Sequence, residues 1–288
     1  MVRLIDSDIR TREVLSWKGV HVFHALFSSC SQKLRIFLNL KNIEWISHVL
    51  DLGRIENLSD FYLGINPRGL VPCLVHDGQV HIESNEIILH LERAFPEPVL
   101  IPSTRELRIE RVLKHENDLH LDMRSVTFRF LFPPSPIPRM SPDALARYST
   151  SGSGTVQGRK DSHIAREITY WQNFEAHGIS DEAVRDSVHR LRTAFEDLDR
   201  TLQRSAYIDG STLSVVDIAW FVYVHRLCLC GYPLSRLHAS LNEWYVRLAL
   251  MPQIASEVVL ASDLDQVIRK QQSTLRSNAR DLEAVCEL

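Results

Sequence analysis

The order of hydrophobic patterns over residues 20–93 is the feature that most constrains the fold. Apolar residues alternate along the predicted strands and recur at helical spacing in the predicted helices. The strands are predicted at residues 20–23, 45–50, 70–76 and 79–82, and the helices at residues 32–41 and 84–93. Asp77-Gly78 joins the last two strands as a hairpin turn. A β-α-β unit followed by a β-β-α unit predicts a small α/β layer fold.

The remainder of the chain carries helical signals only. Residues 105–123 and 182–204 are amphipathic, and Ser214-Val215-Val216-Asp217 is a capping-box pattern before an apolar run. Prolines break the pattern at residues 133–138, and the Gly/Ser-rich residues 149–158 are predicted to be mobile. The predicted organisation is an extension at 1–18, an α/β domain at 19–97 and an all-helical domain at 98–288.

Composition excludes several classes of function. The net charge of −3 gives no electrostatic footprint for nucleic acid or for an anionic membrane. The five cysteines are odd in number and irregularly spaced, which argues against a secreted disulfide framework. The charged amino terminus lacks the apolar core of a signal peptide, so a cytoplasmic location is expected. Cys228 and Cys230 lack a second ligand cluster, and no metal site is predicted.

The segment Ser28-Ser29-Cys30-Ser31 lies between a predicted strand and a predicted helix. Unpaired N–H groups and a partial positive charge at a helix start stabilise an anion. A cysteine there can have a lowered pKa, and a hydroxyl there can donate to a bound thiolate. The alternative is that the serines only cap the helix and Cys30 is an inert buried thiol.

Two further positions fit a peptide ligand. Pro72 stands at the start of a strand, where a cis bond after Val71 would turn the Val71 N–H and C=O outward; an ordinary trans proline is the alternative. Glu83 and Ser84 stand where a strand runs into a helix. Ser84 could hold a carboxylate and Glu83 an amino group, or the pair could be a simple helix cap.

The order of these signals resembles the glutathione transferase superfamily. Residues 28–36 (SSCSQKLRI) are similar to the signature of the zeta class, which includes maleylacetoacetate isomerase. Residues 65–78 (INPRGLVPCLVHDG) look like the bacterial β-etherase-type transferases. Residues 207–210 and 214–218 resemble the capping box and hydrophobic staple of the family's helical domain. The resemblance covers about residues 19–135 and 185–255, and implies a thioredoxin-like domain followed by an all-helical domain with an electrophile pocket.

The resemblance also implies roles for individual residues. Ser28 matches the serine that hydrogen-bonds the glutathione thiolate in serine-type classes, and its neighbour Ser29 is a further candidate catalytic residue. Cys30 matches the third position of the zeta motif and the cysteine of a related reductive dehalogenase, where it forms a mixed disulfide with glutathione. Val71 with Pro72 in cis should pair with the glutathione backbone.

The remaining implied roles concern the two ends of glutathione. Glu83 and Ser84 should hold the γ-glutamyl end, and Asn57 aligns loosely with a residue at the glycine end. A homodimer is expected. The expected function is a glutathione-dependent transferase that acts on a small aromatic or unsaturated electrophile. A non-catalytic glutathione-binding module and a Cys30-centred thiol oxidoreductase or sulfur carrier are the alternatives.

Overall fold

A mixed four-stranded sheet forms the first part of the chain in the computed structural model, which describes residues 2–132 and 139–288. Its elements, in chain order, are β1 (Val20–His24), α1 (Ser29–Leu40), β2 (Ile46–Val49), α2 (Asp60–Leu63), β3 (Cys73–His76), β4 (Gln79–Ile82) and α3 (Ser84–Ala94). The predicted α/β order is confirmed, with boundaries that shift by at most three residues.

The strand register places several loops at one edge of this sheet. The sheet order is β2-β1-β3-β4; β1 runs parallel to β2 and antiparallel to β3. Phe23, near the end of β1, pairs with Cys73 at the start of β3, and Cys73 pairs with Ile82 at the end of β4. The residues that follow β1, precede β3 and follow β4 therefore leave the sheet at the same edge.

Apolar faces of α1 and α3 supply the core beside the sheet. Leu34, Phe37 and Ile87 are fully buried, at the spacing that predicted both helices. The sheet contributes Val22 and Leu74, which are also fully buried. Burial of these side chains is the main stabilising contribution of such a layer.

The extension before β1 pairs with the outer strand β4 of the sheet. The Leu4 amide donates to the Val80 carbonyl (2.9 Å) and the Ile82 amide to the Val2 carbonyl (3.1 Å). The extension contains two short 3-10 helices, Asp6–Asp8 and Arg12–Ser16. Pairing at β4 satisfies backbone groups that an open edge strand would expose.

Helices dominate the residues after Pro98. The described elements are α4 (Glu106–Asp118), α5 (His120–Phe130), α6 (Pro142–Thr150), β5 (Thr155–Val156), β6 (Arg159–Lys160), α7 (His163–His177), α8 (Asp181–Leu202), α9 (Val215–Leu229), α10 (Leu234–Leu237), α11 (Ala239–Ala249), α12 (Pro252–Val258), α13 (Ser262–Ser277) and α14 (Leu282–Cys286). The single helix predicted over 105–123 is interrupted at Leu119, whose φ of −90° and ψ of 5° end α4. The predicted break at 133–138 lies outside the described residues.

The chain divides into two compact units at boundaries that differ from the predicted ones. Residues 2–98 form the first unit together with residues 139–177, and residues 99–132 and 178–288 form the second. The segment 139–177 had been assigned by sequence to an all-helical domain, but it belongs to the first unit and contains the β5–β6 hairpin. We call residues 139–177 the insertion.

Asp8 explains why the insertion belongs to the first unit. This fully buried carboxylate accepts hydrogen bonds from the Thr155 hydroxyl (2.7 Å) and from the amides of Gln157 (2.7 Å) and Gly158 (3.0 Å). The Gly/Ser-rich stretch predicted to be mobile is thus held as a hairpin. Composition could not reveal this, because the acceptor lies about 150 residues earlier in the chain.

The second unit is organised around α9, which is buried on nearly every side. The predicted capping box is confirmed: Ser214 and Asp217 exchange backbone and side-chain hydrogen bonds at the start of this helix. Fully buried Asp217 also accepts from the Ile208 amide (2.9 Å) and the Trp244 indole (3.0 Å). None of the helices in residues 2–132 and 139–288 combines the length and apolarity needed to span a bilayer.

Candidate functional site

The start of α1 carries the three residues predicted to handle a thiol. Ser28 is the N-cap, and its Oγ accepts from the Ser31 amide (3.3 Å). A hydroxyl can accept and donate at the same time, so capping leaves the Ser28 proton able to bind an anion. Ser29 and Cys30 are the first two helical residues, and all three side chains are half-buried. Cys30 is therefore not the buried thiol of the alternative interpretation.

The loop before β3 is braced by side chains on its inner side. The Tyr62 hydroxyl and the Asn66 side-chain amide (2.7 Å) both donate to the Leu70 carbonyl. Asn57, predicted to lie near the glycine end of glutathione, donates its side-chain amide to the Gly69 carbonyl (2.7 Å). Asn57 thus supports the loop that leads to Val71.

The Val71–Pro72 peptide bond is cis, as predicted. Val71 is half-buried, and Pro72 is buried directly before β3. Within residues 2–132 and 139–288, the Val71 amide and carbonyl have no hydrogen-bond partner. A backbone donor and acceptor on one residue suit pairing with an extended peptide.

Glu83 and Ser84 form the junction between β4 and α3. Glu83 precedes the helix with a φ of 69° and a ψ of 114°, a region that non-glycine residues rarely occupy. Strained backbone of this kind clusters at ligand sites. Ser84 is the first residue of α3 and is buried, so its amide belongs to a helix N-terminus suited to a carboxylate.

These groups meet at one edge of the sheet. Ser28 follows β1, Val71 precedes β3 and Ser84 follows β4, and the register brings those three strand ends together. The edge therefore presents two helix N-termini with a backbone donor and acceptor between them. Such an arrangement can bind an extended, doubly anionic peptide with its thiol at the start of α1.

Arg68 joins this edge, although its side chain was not singled out by sequence. Its Nη1 lies 2.6 Å from Glu83 Oε1, and its Nε lies 2.6 Å from Oδ2 of Asp161 in the insertion. Burial lowers the pKa of Arg68, but the hydrogen bonds that its guanidinium donates to both carboxylates outweigh this effect and raise it. The same guanidinium lowers the pKa of Asp161 against burial. The sequence offered one signal, an arginine in the turn before Val71, but no indication of its partners.

Other titratable groups near the sheet are not candidates for thiol chemistry. Burial raises the pKa of the Cys73 thiol far above its usual range, so Cys73 is protonated and inert. Burial, with Arg35 as the second cause, lowers the pKa of His24 to about 4. Among the described residues, no three His, Cys, Asp or Glu side chains are grouped to hold a metal ion.

Two models of known protein families match this chain. The model described as "Glutathione S-transferase, N-terminal domain" matches residues 27–94, and the model described as "Glutathione S-transferase, C-terminal domain" matches residues 181–247. The chain belongs to the glutathione S-transferase family. The first match contains every residue predicted for the site, and the insertion lies between the two matches.

Three comparisons illustrate how this glutathione S-transferase relates to others. It is 41% identical over 81 residues to maleylpyruvate isomerase of Ralstonia sp., which covers 28% of this chain and 38% of the isomerase. It is 26% identical over 239 residues to protein LigF of Sphingobium sp., covering 80% of this chain and 89% of LigF. The solved structure of beta-etherase LigF from Sphingobium sp. shares the fold with a TM-score of 0.69 at 21% identity, over 83% of this chain and 98% of that one.

The comparisons confirm the predicted family and the thioredoxin-like and helical halves. The chain spans under two fifths of the length of the isomerase. The individual site residues remain predictions.

Proposed function

We propose that this chain is a glutathione-dependent transferase that acts on a small aromatic or unsaturated electrophile. The observation that carries the proposal is the shared sheet edge, where the starts of α1 and α3 flank the amide and carbonyl of Val71. Membership of the glutathione S-transferase family supports it. Similarity to proteins named maleylpyruvate isomerase and beta-etherase supports an unsaturated or aromatic substrate.

Each part of glutathione has a proposed partner. The Val71 amide and carbonyl pair with the backbone of the cysteinyl residue. The Ser84 amide and hydroxyl bind the γ-glutamyl carboxylate, and Glu83 binds the neighbouring ammonium group. The Ser28 hydroxyl donates to the thiolate, which lowers the thiol pKa and keeps the nucleophile ionised near neutral pH. Ser29 adds its helix-terminal amide.

The chemical step begins with attack of the glutathione thiolate on an electrophilic carbon. A C–S bond forms, and the leaving group departs with the electron pair of the bond that breaks. In a reductive branch, the Cys30 thiolate then attacks the conjugate's sulfur; the C–S bond breaks, and the carbon takes up a proton. A Cys30–glutathione disulfide remains, and a second glutathione reduces it to give glutathione disulfide. If Cys30 does not react, reversible addition of the glutathione thiolate to an unsaturated substrate would support isomerisation.

Calorimetric titration of the reduced protein with reduced glutathione tests the binding step. One-site binding with a micromolar to millimolar Kd, about −8 to −4 kcal/mol, is expected. No binding at millimolar glutathione would refute the proposal.

Replacement of Cys30 by Ser separates the chemical branches. If the reductive branch operates, the conjugate should accumulate and turnover should stop, while glutathione still binds. Unchanged turnover would exclude the reductive branch and indicate conjugation or isomerisation. Activity on mixed-disulfide substrates instead of electrophiles would favour the thiol oxidoreductase.

We further propose a cytoplasmic homodimer. All five cysteines are thiols rather than disulfide partners, which suits a reducing compartment. Sedimentation analysis would test the dimer: a species near 33 kDa, the mass of one chain, would refute it.

A further inference from the structure

Asp161 is a carboxylate of the site region that lies outside both family matches. It belongs to the insertion, between the matched residues 27–94 and 181–247. Its side chain is only 12% exposed. Its position is fixed from two sides, by the Arg68 guanidinium and by the His163 amide, which donates to Oδ1 (3.3 Å).

The contacts of Arg68 with its two carboxylates are unequal. Asp161 receives two hydrogen bonds, from Nε to Oδ2 (2.6 Å) and from Nη2 to Oδ1 (3.3 Å). Glu83 receives one, from Nη1 to Oε1 (2.6 Å). A two-point contact fixes the plane of a guanidinium, whereas a one-point contact does not. Asp161 therefore sets the orientation of Arg68, and Arg68 directs one oxygen of Glu83.

The backbone of Arg68 is also tied to the insertion. The Tyr148 hydroxyl donates to the Arg68 carbonyl. The guanidinium and the backbone carbonyl of Arg68 are thus both held by the insertion. The Asp8 carboxylate in turn anchors the insertion at its hairpin.

The charge balance of the cluster favours a cationic ligand group. Asp161 and Glu83 carry two negative charges against one on Arg68, which leaves a net charge of −1. His163, which faces Arg68, Glu83, Asp161 and Glu167, has a pKa lowered chiefly by burial, so it adds no positive charge near neutral pH. Within the described part of the chain, no donor is bonded to Glu83 Oε2, whose side chain is 36% exposed, so this oxygen can accept from a ligand.

We propose that Asp161 is a positioning residue. Through Arg68 it holds the Glu83 carboxylate where it accepts a hydrogen bond from the α-ammonium group of the glutathione γ-glutamyl moiety. This inference rests on the proposed function. Without the Asp161 charge, Arg68 would be paired with Glu83 alone. The cluster would be neutral, and the attraction for the ligand's ammonium group would fall.

Calorimetry with two ligands tests the proposal on the full chain. The probes are reduced glutathione and its analogue glutaryl-Cys-Gly, which lacks only the α-amino group. Asp161→Asn should weaken glutathione binding about three- to tenfold, the range for loss of a partly exposed charge interaction. Binding of glutaryl-Cys-Gly should not change. Asp161→Glu, which keeps the charge, should restore most of the glutathione affinity.

Asp143→Asn is the matched control, since Asp143 lies in the same insertion but is exposed. It should leave the Kd of both ligands unchanged. If Asp161→Asn does not fold, as judged by circular dichroism, the smaller Asp161→Ser takes its place. Unchanged glutathione binding would overturn the proposal, and so would equal weakening of both ligands, because equal loss indicates a general distortion. Failure of the unmodified chain to bind glutathione would instead refute the proposed function.

Discussion

Replacing Asp8 by Ala should release the β5–β6 hairpin from the extension. Asp8 is fully buried and accepts three hydrogen bonds from residues 155–158 and a fourth from the Ile5 amide (3.1 Å). The substitution leaves these four donors without their acceptor. We therefore expect the hairpin to open locally while the sheet stays intact.

The magnitude follows from the number and type of these bonds. Each hydrogen bond to a charged group contributes about 1.5–3 kcal/mol, but bonds that share one acceptor do not add fully. For four such bonds to the single Asp8 carboxylate, we take about 3–5 kcal/mol in total. That free energy corresponds to a rise of roughly a hundredfold to several thousandfold in the local opening equilibrium.

Native-state hydrogen exchange of the Gln157 and Gly158 amides measures that opening directly. Both amides donate to Asp8, so both should exchange faster in Asp8→Ala by the stated factor. Asp6→Ala is the control, because Asp6 lies two residues away, its side chain is 82% exposed, and its carboxylate makes a surface ion pair with Arg12. The control should change exchange by less than about tenfold. A rise below tenfold in Asp8→Ala would refute the reasoning.

Three further predictions concern the thiol site and the buried polar groups. Ser28→Ala should lower kcat/KM for glutathione about 10- to 100-fold, since it removes a hydrogen bond to a thiolate, and steady-state kinetics would measure this; an unchanged value would contradict the role of Ser28. In the unfolded state His24 takes up a proton near pH 6.5, whereas in the folded state its pKa is about 4, so the free energy of unfolding should fall as pH drops from 6.5 to 4. His24→Gln should reduce part of this pH dependence in thermal melts, and the control His189→Gln, at an exposed position, should not. Asp217→Ala should destabilise the second unit by about 3–5 kcal/mol in urea unfolding, because it leaves the Ile208 amide and the Trp244 indole unpaired; a loss below about 1 kcal/mol would contradict this.

Local patterns predicted several elements well because the signals that determine them are short-range. The start of α1 follows from Ser28 as an N-cap, and the start of α9 follows from a capping box within four residues. The turn between β3 and β4 follows from Asp77-Gly78, where both residues have positive φ. In each case the residues that determine the structure are neighbours in the sequence.

The insertion could not be placed in the same way. Asp8 and its partners near residue 157 are joined by a contact between distant segments, and so are Arg68 and Asp161. A Gly/Ser-rich composition indicates that a segment lacks its own apolar core; it does not reveal that a buried carboxylate elsewhere satisfies its amides. Sequence also did not reveal the role of Arg68, because that role depends on contacts with two carboxylates, one of them 93 residues away.

The proposed glutathione site combines two kinds of recognition that respond differently to sequence change. The start of α1, the Val71 backbone and the Ser84 amide contribute main-chain groups, which remain when side chains are substituted. The ammonium end depends instead on the three charged side chains Glu83, Arg68 and Asp161. Substitutions in the insertion should therefore alter discrimination at the γ-glutamyl amino group before they alter binding of the thiol. The first unit can in this way keep its thiol chemistry while a segment outside both family matches adjusts which thiol peptide is accepted.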